Sequence, residues 1–232
     1  MARRWSIVAA FAAVVIFETG SAAMDLGRAY QVGETDRFGV AVQIETDVGS
    51  VDLTMRQVQV VRRLLADGQA EVESRTEDLE ARMNGEKIPV EGASQMPPVN
   101  LVVDRWGWQM RAPAVGRGSG ASVAFLRYAL VLPRNPLEIG KSVPVEADLP
   151  IGSRVRGTAK LEEVESGVAR ILQALEITAR GQTRPQTLTM TTWVETKTSR
   201  ILRVEGQASA SLGADGDAGA VRGMQFRFER LP

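Results

Sequence analysis

Apolar residues recur mainly at every second position along this chain. Val40, Val42 and Ile44 alternate with Ala41, Gln43 and Glu45; Val51, Leu53 and Met55 alternate with Asp52, Thr54 and Arg56. A period of two predicts strands with one face buried. Asp47-Val48-Gly49-Ser50 predicts the turn between them. At Val58 and Val60 the apolar set moves by one residue, which in a strand flips faces, so a β-bulge near Arg56-Gln57 is expected. Helical spacing of Val58, Val61 and Leu65 is the rival reading. Asp67-Gly68 is the next turn, and residues 70–83 are highly charged. Asn84-Gly85 is the strongest hairpin signal in the chain. Leu101-Val102-Val103 then leads to Trp106-Gly107-Trp108, where Gly107 predicts a tight turn.

Further strands are predicted at 154–164, 167–178, 186–196, 200–210 and 223–230. In the last, Met224, Phe226 and Phe228 alternate with Gln225, Arg227 and Glu229. The Thr-rich segment 187–198 places Leu188, Met190 and Val194 on one face, as in a strand with one wet side. Gly116, Gly118, Ser119 and Gly120 divide the chain, and Pro133 to Pro136 form a rigid connector. Tyr30-Gln-Val-Gly33 and Leu137-Glu-Ile-Gly140 each precede an alternating segment, and Asp67-Gly68 and Ser166-Gly167 fall at comparable later turns, which suggests a duplicated antiparallel unit. The expected fold is all-β and antiparallel, with about ten strands in a curved open sheet or partial barrel. The expected organisation is a first β unit at 24–111, a flexible connector at 112–136 and a second β unit at 137–232.

The N-terminus departs from this pattern. Arg3 and Arg4 precede an apolar run from Trp5 to Phe17, and Ser21-Ala22-Ala23 follow. This is the layout of a secretory signal peptide, residues 1–23, with cleavage after Ala23. The run is too short for the roughly 20 residues of a spanning helix. The Arg pair raises twin-arginine export, but Trp5-Ser6-Ile7 favour the general route. Periplasmic or secreted localisation is expected, with no stable membrane span after cleavage. An outer-membrane barrel is disfavoured, because the chain ends in Leu231-Pro232 and lacks aromatic girdles.

Composition narrows the chemistry. The chain has 28 basic and 28 acidic residues. Removal of the signal leaves a net charge near −1, which offers no long-range attraction for nucleic acid. Histidine and cysteine are both absent. That excludes Ser-His-Asp triads, thiol nucleophiles, lipid attachment to a cysteine, and the usual zinc and haem ligands. No catalytic residue, cofactor or metal site is therefore assigned. Glu162, Glu163 and Glu165 form a carboxylate group better read as a solvated hairpin end. Asp215-Gly216-Asp217 is only a fragment of a calcium loop. Gly116-Arg117-Gly118-Ser119-Gly120 lacks the ending of a phosphate loop. Trp106, Trp108 and Trp193 are the candidate ligand or packing aromatics. Trp193 lies on the face opposite Leu188 and Met190, so it is partly exposed if those two face the core.

Leu132-Pro133 followed by Pro136-Leu137-Glu138-Ile139-Gly140-Lys141 resembles a motif of uncharacterised exported bacterial β-rich proteins with two related β units. Lys141 stands where that motif typically has Asp, and the Trp that often follows is missing. The resemblance covers about two thirds of the chain and implies no catalytic residues. The reading that follows is an exported, non-enzymatic protein that binds a lipid-like or other hydrophobic small molecule on an apolar concave face, as in lipoprotein-carrier-like folds. Such a carrier should have an apolar cavity of several hundred Å3. The alternatives are a structural or interaction module that binds an envelope protein through an edge strand, and third a carboxylate-based extracytoplasmic hydrolase.

Overall fold

The computed structural model describes residues 23–90, 97–111, 129–149, 152–178, 185–209 and 221–232. Nearly all of the signal segment, the Gly-rich stretch of the connector and Asp215–Asp217 lie outside the described residues. The described elements are β1 (Thr35–Thr46), β2 (Gly49–Leu64), β3 (Ala70–Met83), β4 (Glu86–Ile88), β5 (Val99–Val103), β6 (Ser142–Asp148), β7 (Arg154–Glu165), β8 (Val168–Thr178), β9 (Gln186–Glu195), β10 (Arg200–Ser209) and β11 (Val221–Arg230). The fold is all-β. All eleven strands join one antiparallel sheet in the order β4-β3-β2-β1-β11-β10-β9-β8-β7-β6, with β5 also on β3. The sheet is open: β4 and β6 end the path and do not pair with each other.

Both halves of the chain contribute consecutive hairpins, and β1 pairs with β11 where they meet. Local geometry recurs between the halves. Gly33 N–H donates to the Val61 carbonyl and Gly140 N–H to the Leu161 carbonyl, each at 2.8 Å. One residue beyond each acceptor the register slips, between Val61 and Arg63 against β3 and between Leu161 and Glu163 against β8. The turns that follow contain successive residues at positive φ, Asp67-Gly68 and Ser166-Gly167. Asn84 and Gly85 also have φ near 51° and 86°, the demand of a two-residue hairpin turn that these residues meet at little cost.

The apolar switch in β2 has a different origin from the predicted bulge. β1 and β2 stay in register from Thr46↔Gly49 to Thr35↔Val60. Val58 and Val60 therefore lie on the opposite face from Val51, Leu53 and Met55, and both are buried there. An irregularity does lie close by, between Thr54 and Arg56, but the extra residue belongs to β3, beside Asp78 at φ 51°. The charged segment 70–83 is itself a strand. It buries only Ala70, Val72 and Ala81, so its pattern is dominated by the wet face.

Candidate functional site

One face of the sheet is apolar from edge to edge. The register sets Ile88, Ala81, Leu53, Val42, Phe226, Gly206, Met190, Gln173, Ala159 and Val143 in a single row across it. Gln173 is its sole polar member. A parallel row runs from Met83 through Val51, Ile44, Met224, Ala208, Leu188 and Leu175 to Val145 by way of Gly157. Strand alternation produces such rows, because every second side chain of each strand points the same way. Gly206 makes room for the Phe226 ring: a Cβ there would lie 2.6 Å from both the ring edge and the Thr189 carbonyl.

Segments outside the sheet cover part of this face. Leu26, Trp108, Val131, Leu132 and Leu137 are fully buried in the same core as Phe228, Ile171 and Met190. Asp104 organises the covering segment. Its Oδ1 accepts the N–H groups of Trp106 and Trp108 at 3.0 and 2.9 Å, and its Oδ2 accepts Arg134 Nε at 2.9 Å. Trp108 Nε1 donates to the Leu132 carbonyl at 2.8 Å. Gln173 Nε2 donates to the Val131 carbonyl at 3.3 Å, tying the cover to the sheet. The part of the connector that is described, from Ala129, thus packs into the core; Ala129 itself is buried.

An ionic cluster closes the end of the face at the start of β1. Arg28 pairs with Glu34 and Asp36, Arg230 with Asp36, and Arg200 with Glu34. The Arg28 guanidinium also lies 4.9 Å over the ring of Tyr30, whose hydroxyl donates to the Asp104 carbonyl at 3.3 Å. Burial pushes the Tyr30 phenol up to about 12, against the opposing pull of Arg28; Asp104 and Asp36 add to the rise. Burial and the neighbouring Arg230 and Arg28 hold Arg200 below the usual arginine range.

The opposite end stays less covered. Val51, Leu53 and Met55 of β2, with Met83 and Ile88 beside them, are half-buried, while their neighbours Val42 and Ile44 are buried. Trp108 itself packs with Leu26, Leu132 and Leu137 into the core on this face. Beside it, Trp108, Arg134, Asn135, Pro144, Val145 and Glu146 line a groove of about 240 Å3.

The three tryptophans have separate environments. Trp108 is core. Trp106 is half-buried, with its indole N–H on Asp25 at 3.2 Å and the Arg105 guanidinium over its ring. Trp193 is half-buried on the other face of the sheet, opposite Arg170 and Arg203. Gly107, at φ 86°, is the turn residue between the first two, and a Cβ there would lie 2.6 Å from the Leu130 carbonyl. Ala23, the expected cleavage residue, is exposed at the start of the described chain. Glu162 and Glu163 both pair with Arg170 at 3.2 Å near the turn that joins β7 and β8. Among the described residues there is no group of three or more acidic side chains placed to hold a metal ion. Sequence reasoning missed the Asp104–Arg134 pair, whose members are 30 residues apart; the only signal was Asp two residues before the Trp-Gly-Trp turn.

No family model and no curated protein sequence matches the chain. Among solved structures, lipovitellin matches with a TM-score of 0.57 at 10% sequence identity. The chain is similar to it in fold. The match covers 88% of this chain and 25% of the lipovitellin chain, so this protein spans about a quarter of that structure, which concerns lipid–protein interactions in lipovitellin.

Proposed function

We propose that this protein is exported and binds a lipid-like or other hydrophobic ligand, without catalysis, on the apolar face of its open sheet. The observation that carries this reading is the strip of half-buried Val51, Leu53, Met55, Met83 and Ile88 at the margin of the buried core. An acyl chain laid along that strip removes apolar area from water on both partners, worth about 25 cal/mol per Å2. The fold likeness to lipovitellin agrees with this reading. Arg3-Arg4, the apolar run and Ser21-Ala22-Ala23 support export, with a mature chain that begins at Met24.

The open edges offer less to a partner strand. β4 has three residues. β6 carries Pro144, whose carbonyl accepts Asn135 Nδ2 at 2.9 Å, and proline on an edge blunts pairing. Native mass spectrometry of the protein purified from its own host tests the proposal. The expected spectrum shows a chain beginning at Met24 with added mass that extracts into organic solvent. Leu53→Ala with Met55→Ala should weaken binding of a fluorescent fatty acid at least tenfold, while the circular dichroism spectrum keeps its β-sheet signature. Absence of both a carried lipid and saturable fatty-acid binding would sink the reading, and an added protein mass would favour an interaction module.

A further inference from the structure

Along β2 and β3 the inner face of the sheet changes character within a few residues. The register that carries Val51 against Met83 and Leu53 against Ala81 goes on to set Gln57 opposite Thr76 and Gln59 opposite Ser74. Alternation puts these four polar side chains on the same face as the apolar strip, and all four are half-buried. Gln57 Nε2 donates to Ser74 Oγ at 3.2 Å. With that oxygen accepting, the Ser74 hydroxyl proton is left to point elsewhere. The Gln59 carboxamide and the Thr76 hydroxyl have no hydrogen-bond partner among the described residues. Three donors therefore stand at the head of the strip, on the side where the N-terminal segment covers the face.

Charge gives the strip a direction. Gln59 lies opposite Asp36 in the β1 ladder, at the roughly 5 Å separation of cross-strand neighbours, and Asp36 pairs with Arg28 and Arg230. With Glu34 and Arg200 this cluster holds three guanidinium groups and two carboxylates, a surplus of one positive charge. Asp104, beyond Tyr30, is already held by Arg134. At the far end of the strip stands Glu86, opposite Met83 and exposed. One end thus offers donors in front of a surplus cation, and the other an anion. From Gln57 to Val51 the strand advances about 20 Å, the span of a long acyl tail. A single-chain amphiphile with an anionic head fits this face in one direction only, its head at the donors and its tail toward Met83.

We propose that the strip binds a long-chain fatty acid, with the carboxylate held by Gln59, Ser74 and Thr76 beside the Arg28 cluster. This rests on the hydrophobic-ligand reading above and adds the head group and the direction of the chain. Tetradecanoate and tetradecanol, alike in tail and different in head, are tested as dilute monomers for displacing Nile red from the full chain at about pH 8, where the acid is ionised. Tetradecanoate should displace the dye at a concentration at least tenfold lower, since a charged acceptor strengthens each hydrogen bond it receives. Gln59→Leu with Thr76→Val should cut that preference to about threefold or less. Tetradecanol binding should stay within about twofold of wild type, which also shows that the variant is folded. Gln59→Glu, which sets a like charge against the head, should weaken tetradecanoate and spare tetradecanol. Equal displacement by acid and alcohol overturns the head-group assignment and leaves the apolar strip standing, and so does a preference that survives the double variant. Failure of both amphiphiles to bind, by dye displacement or by direct calorimetry, overturns strip and head group together.

Discussion

Asp104 organises a segment that has no ladder of its own. One carboxylate satisfies two backbone N–H groups and Arg134, and so fixes the turn that drives Trp108 into the core. Trp108→Ala should cost about 3–5 kcal/mol, as large aromatic truncations in a packed core do, and chemical denaturation will measure it. Tyr30 gives a pH signature. Its phenol is raised in the folded protein to about 12, so the unfolded chain loses this proton first. The stabilisation is complete below about pH 10, the ordinary tyrosine value, and is lost as pH rises through about 12. Denaturation midpoints should fall across that window by at most about 2–3 kcal/mol, and Tyr30→Phe should flatten this part of the slope. Gly206→Ala should destabilise by about 1–3 kcal/mol, because the new methyl meets Phe226 and backbone rather than a movable chain end.

Among the elements, the hairpins were the most legible. Asn84-Gly85 and Ser166-Gly167 each supply two positive-φ residues in sequence, and local chemistry alone selects such turns. β8, β9 and β11 alternate cleanly because their outer face is wet and their inner face buried. β3 was hidden for the converse reason. Its outward residues are acidic and basic partners of β2, such as Glu73 with Arg62 and Glu71 with Arg63, and few apolar residues mark its inner face. The hydrogen bond from Arg62, with its charge, holds the Glu73 carboxyl below its usual range. At the β6 edge, Pro144→Val with Asn135→Ala should raise self-association, because it restores a donor and frees a carbonyl. Sedimentation velocity at rising concentration should show species larger than those of the wild type.

Across the whole molecule, the cluster of Arg28, Glu34, Asp36, Arg200 and Arg230 joins the N-terminal segment to β1, β10 and β11. Arg28→Ala leaves Asp36 buried beside one fewer cation and should cost about 3 kcal/mol, measurable as a lower denaturation midpoint. The sequence by itself determined the strand class, most of the hairpins and the alternation that makes one face apolar, since these depend on residues within a few positions of each other. It also set the absence of imidazole and thiol chemistry. Tertiary structure alone decided that β1 and β11 would pair, so that two runs of hairpins became one open sheet. It alone decided that Trp108 would pack into that face while Leu53 and Met55 stayed half-buried, and that Gln43, Gln225 and Gln207 would line up on the other side. Those outcomes depend on register and coverage between residues far apart in the chain, which a local pattern of polar and apolar positions does not encode.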